Sequence, residues 1–94
     1  MSNEVLDTTR ALLGEESSAG GAIYLLLGIS RSEQDLMMAI AAATAQSKNG
    51  DLRASAAIAD AKKDLTELGE IRDECIAKIN RLIAKAGGAV VGPA

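Results

Sequence analysis

The chain has 94 residues, with 13 acidic and 10 basic side chains and a formal charge of −3; it lacks His, Phe and Trp, yet 48% of it is hydrophobic. That content fills one small domain and no more. Without histidine the commonest general acid/base and the commonest transition-metal ligand are missing. The mild acidic balance offers no electrostatic footprint for DNA or RNA, and the single Tyr24 is no base-stacking platform.

The first residues, MSNEVLDTTR, are acidic and lack the basic and apolar regions of a secretory signal. The longest strongly apolar run, Ala22 to Ile29, is far shorter than the about twenty residues that span a bilayer. A cytoplasmic protein is expected, or one exported without a cleaved signal peptide. Residues 3–13, with Val5, Leu6, Leu12 and Leu13 on one face, predict a short N-terminal helix. The glycine pair at 20–21 then reads as punctuation, and so does the Asn49-Gly50 step.

Between them lies a second helix, expected over 22–48 with room for a kink or break near Gly28–Arg31. Its surest part begins at Ser30 or Ser32 as a cap, with Glu33 and Asp35 in the first turn, where negative charge is favoured. Leu36, Met37, Ile40, Ala43 and Thr44 follow as an apolar stripe, and Met37 and Met38 read as core filler. Length argues for an earlier start. At about 1.5 Å per residue a helix over 52–86 is about 50 Å long, whereas a partner over 32–48 covers about 25 Å and one from 22 about 40 Å. Steps of four and three through Ala22, Leu26, Ile29, Glu33, Leu36, Ile40, Ala43 and Ser47 support the longer form, with Glu33 as the one charged intruder.

The segment 52–86 carries the clearest pattern. Ala54, Ile58, Ala61, Leu65, Leu68, Arg72, Cys75, Ile79, Leu82 and Ala86 alternate steps of four and three, the repeat that keeps one seam turned toward a neighbouring helix. Ile71, Ile76 and Ile83 widen that seam. Asp51 suits a cap at its start, and Gly87-Gly88 suit its end. Arg72 breaks the seam either by snorkelling to solvent or by pairing with Glu33 or an acid of another chain. Cys75 reads as a buried small hydrophobe. Gly28 and Gly69 fall at nearly the same level of the hairpin, which suggests a close backbone crossing. Glu67, Glu70, Asp73 and Glu74 form the one dense acidic group, and with Lys63 and Lys78 interleaved they read as a solvated face.

The expected fold is all-α: an antiparallel helical hairpin with a long C-terminal helix and a short N-terminal one, a single domain over 1–86 with a flexible tail at 87–94. Completion as a four-helix bundle by oligomerisation would cover the seam. No base stands with a plausible nucleophile, and no metal set or cofactor loop is in place, so no catalytic, cofactor-binding or metal residue is expected. The expected function is interaction: Ile58, Leu65, Leu68, Arg72, Cys75, Ile76, Ile79, Leu82 and Ile83, with Ile23, Leu26 and Ile29, would meet a protein partner or a second copy. In size and layout the hairpin resembles small helical subunits and chaperones of bacterial secretion and filament systems. The Trp-x-Gly of the secreted helical-hairpin family of similar length is absent. A regulatory adaptor docking through the hairpin or the tail is the alternative.

Overall fold

The two rows of residues spaced by four and three become the facing sides of an antiparallel hairpin. A computed structural model describes residues 4–48, 50 and 52–86 as three helices, Glu4–Glu15 (α1), Ala19–Ser47 (α2) and Leu52–Lys85 (α3). Ser47 meets Ser55, Glu33 meets Arg72 and Ala22 meets Cys75, so positions fall along α2 as they rise along α3. The molecule is elongated, 57 × 26 × 15 Å.

The long form of α2 is the one that forms. All eight residues of its four-and-three row, Ala22 to Ser47, are buried or half-buried. The helix runs unbroken through Gly28–Arg31, so neither Ser30 nor Ser32 caps anything. Ser18 is the cap instead. Its backbone is extended, at φ −120 and ψ 145, and its Oγ accepts from Gly21 N–H at 3.0 Å. The glycine pair at 20–21 therefore opens the helix rather than preceding it. A Cβ at Gly21 would displace the Glu16 carboxylate from its place. That carboxylate is tied down by Ser17 N–H at 3.1 Å and by Ser18 N–H and Oγ, each at 3.2 Å.

At the other end of α2, Gly50 takes φ +87, a left-handed conformation that glycine adopts without penalty. Its N–H donates to Ser47 O at 3.0 Å, and the chain reverses into α3. The expected cap at Asp51, the glycine pair at 87–88 and the tail 87–94 lie outside the described residues.

The core sits toward the end of the hairpin away from this turn. Leu6, Leu13, Ala22, Ile29, Leu68, Ile71, Cys75 and Ile79 form one cluster, with Leu25, Leu26, Leu36, Leu82 and Ile83 packed against it. α1 supplies Leu6 and Leu13 and runs alongside α3 over that half alone. Two polar ties fix it: Arg10 faces Glu67 at 3.8 Å, and Lys78 Nζ donates to the carbonyls of Leu13 and Gly14, the latter at 3.1 Å. Both carbonyls lie in the last turn of α1; Leu13 O also accepts from Glu16 N–H at 3.3 Å, whereas the Gly14 carbonyl is among those that a helix end leaves open. A cation from α3 thus finishes the C-terminus of α1, where negative partial charge collects.

The expected crossing of Gly28 and Gly69 does not occur. A Cβ on Gly28 would meet nothing within 4 Å, and one on Gly69 only Arg72 Nη2 at 3.8 Å. The level arithmetic placed the two glycines side by side but could not say which way each faced.

Candidate interaction surface

Most of the expected interface is used inside the chain. Leu68, Cys75, Ile79 and Ile29 are buried in the hairpin, Leu26, Leu82 and Ile83 pack on them, and Ile58 and Leu65 are half-buried. Only Ile23 and Ile76 of that set are largely open to solvent, at 44% and 42%. The seam is real, but its first partner is α2.

Arg72 resolves in favour of pairing. Its Nη1 donates to Glu33 Oε2 at 2.8 Å, and the same guanidinium also lies 3.5 Å from Asp73 Oδ1. Glu33 is 7% exposed, so the intruding carboxylate on the α2 row and the intruding cation on the α3 row satisfy one another. One partner stands at the edge of the core and reaches water, which limits the desolvation cost.

Cys75 is buried, and its Sγ lies 3.2 Å from Ala22 O, to which the thiol donates. Burial pushes the thiol up from its ordinary value, against the weaker pull of the Lys78 charge one turn on. A thiol held neutral and covered is inert. Glu16 moves the other way. Hydrogen bonds from the Ser18 backbone and then its side chain hold this exposed carboxyl below its ordinary value.

Asp64 is the feature that the seam reading missed. It is 4% exposed, and its Oδ2 has no hydrogen-bond partner among the described residues. It lies beside Leu36, Ala57, Asp60 and Ala61 at a small indentation between α2 and α3. The signal was in the spacing, since Ala57, Ala61, Asp64, Leu68, Ile71 and Cys75 also step by four and three. Leu65, one residue on, drew the line away from it. The acidic group further along is a solvated face, as expected: Glu70, Asp73 and Glu74 are exposed, and Glu67 faces Arg10. Among the described residues no set of three His, Cys, Asp or Glu side chains is placed to hold a metal ion. No helix of the described residues is long and apolar enough to cross a membrane.

Met37 and Met38 are not core filler. They are exposed, at 54% and 71%, and with Tyr24 at 78% and Leu27 at 63% they leave large apolar groups on the outside of α2. Beside them, α1, α2 and α3 enclose a groove of about 340 Å³ lined by Val5, Leu6, Tyr24, Leu25 and Ile29 among others. Of the nine large apolar side chains exposed among the described residues, five (Ile23, Tyr24, Leu27, Met37 and Met38) are on α2. Comparison with protein-family models, with curated proteins and with solved structures finds no match.

Proposed function

We propose that this chain is a non-enzymatic helical interaction protein that works by assembly, with itself or with another protein, through the outward side of α2. The observation that carries the reading is the exposure of Tyr24, Leu27 and Met38 on a helix with only three charged residues in its 29, Arg31, Glu33 and Asp35. Helices that are apolar all round are covered on all sides in their working state. A small structural subunit or chaperone of a bacterial secretion or filament system is a role of this kind. The groove between the three helices supports a second reading, a regulatory adaptor that receives an apolar peptide there.

Sedimentation across a dilution series tests assembly directly. The wild-type chain is expected to run larger than one copy, and a Leu27→Lys, Met38→Lys variant to run as one folded copy with an unchanged circular dichroism spectrum. A wild-type chain that stays single at every concentration rules out self-assembly.

A further inference from the structure

The outer side of α2 carries a second ordered row. From Tyr24, steps of four and three lead through Gly28, Arg31, Asp35, Met38, Ala42 and Ala45, and all seven residues are exposed. At 3.6 residues per turn this row lies opposite Ile29 and Glu33, the side that faces α3. A repeat of 3.5 residues holds such positions in line along a partner helix. Three members of the row are unexplained by the chain itself. Gly28 sits in mid-helix, at a cost of about 1 kcal/mol relative to Ala, yet nothing lies within 4 Å of where its Cβ would be. Arg31 and Asp35 stand one turn apart and enter no ion pair among the described residues.

We propose that a second copy of this chain packs antiparallel on this row, about a two-fold axis level with Glu33. The inference rests on the assembly reading above and gives it a partner and a register. In that register Tyr24 lies on the partner's Ala42, Gly28 receives the partner's Met38, and Arg31 faces the partner's Asp35. The two-fold axis repeats each pairing in reverse. Each of these layers then sets large against small or positive against negative. Parallel pairing in register does the opposite: it stacks Tyr24 on its own copy, leaves a gap at Gly28 and opposes like charges at Arg31 and at Asp35. Complementary charge of this kind fixes orientation more than it adds affinity.

The pairing also explains the composition of α2. With α3 on one side and the partner's α2 on the other, its apolar groups are covered twice, while the charged back of each α3 stays in water. The contact row from Tyr24 to Ala42 is about 27 Å long, with Leu27 and Val5 at its flanks. One helix face of that length lies toward the small end of specific interfaces, so the dimer dissociates on dilution. An interface that uses the same patch on both copies closes at two.

Two exposed-site variants test the register, Arg31→Asp and Asp35→Arg. Circular dichroism checks that each keeps its helices, and sedimentation velocity reads assembly across a dilution series. The wild type is expected to be a concentration-dependent dimer. Each variant opposes like charges in both central layers and is expected to lose about tenfold in dimer affinity. An equimolar mixture restores the dimer, because the acid-only and base-only rows complement each other. If the wild type dimerises and each variant alone does so equally well, the register is wrong while the assembly reading stands. A parallel pair, which already opposes like charges, would give that result. A wild-type chain larger than a dimer also overturns the two-fold row. A wild-type chain that is single throughout removes the inference together with self-assembly.

Discussion

α2 and α3 are paired along most of their lengths, yet they solve opposite problems. α3 has 34 residues and thirteen charged side chains, nine of them exposed, so its buried and solvated faces are largely distinct. α2 has 29 residues and three charges, one of which, Glu33, points inward. An amphipathic helix states which of its sides belongs inside. A helix apolar on both sides does not, and it leaves work for a second partner.

The largest expected effect breaks that contrast most directly. Ile71→Ala on the inner face of α3 should cost about 3 kcal/mol in urea denaturation, whereas Leu27→Ala on the outer face of α2 should stay within about 0.5 kcal/mol in dilute solution. Comparable losses would mean that Leu27 packs inside the single chain. Next comes the ion pair between α2 and α3. Arg72→Leu leaves the Glu33 carboxylate covered and unpaired, and should cost about 2 to 3 kcal/mol. Replacing both Glu33 and Arg72 by Leu should recover most of it.

Asp64 offers a gain instead. Asp64→Ala removes a carboxylate whose Oδ2 has no partner among the described residues and should raise stability by about 1 to 2 kcal/mol. A loss would show that the oxygen is satisfied in solution, by water or by a shift of the alanine-lined turn half. In the single chain at high dilution, Gly28→Ala and Gly69→Ala should each add up to about 1 kcal/mol, since neither glycine is required by a close contact within the chain. A fall in melting temperature at Gly69 would revive the backbone crossing that the structure excludes.

The smallest effect is one of pH. The Cys75 thiol is raised in the folded chain, so above the ordinary value of 9.0 the unfolded chain ionises first. Stability therefore falls as pH rises from that value through the raised one. The slope difference between wild type and Cys75→Ala isolates it, and identical slopes would contradict the shift. Glu16 acts at the other end. Its contribution is present above the ordinary carboxyl value of 4.5 and is lost as pH falls through its lowered one.

Legibility followed the same contrast. On α3, where polar and apolar sides differ, spacing identified Leu68, Cys75 and Ile79 as inward and Glu70 and Glu74 as outward, while it missed the buried acid at 64 and placed the exposed Ile76 and Ala86 on the seam. On α2 the row from Ala22 to Ser47 was readable from spacing and length together, and the Glu33–Arg72 pairing was one of two open readings. Met37 and Met38 were placed inside because an apolar residue on a helix without polar contrast fits either side. The supposed break near Gly28–Arg31 came from composition, whereas the continuous apolar support of α3 and α1 overrides a single mid-helix glycine. The Ser18 cap was hidden by the glycine pair that follows it.

The contact between Cys75 and Ala22 joins residues 53 apart in the chain, at the end of the hairpin far from the Gly50 turn. The protein thus carries its own gauge of how the hairpin separates. Fraying near the turn leaves the sulfur covered, whereas parting of the far ends uncovers it. Thiol labelling of the native chain therefore reports openings that part the far ends, and is blind to fraying at the turn.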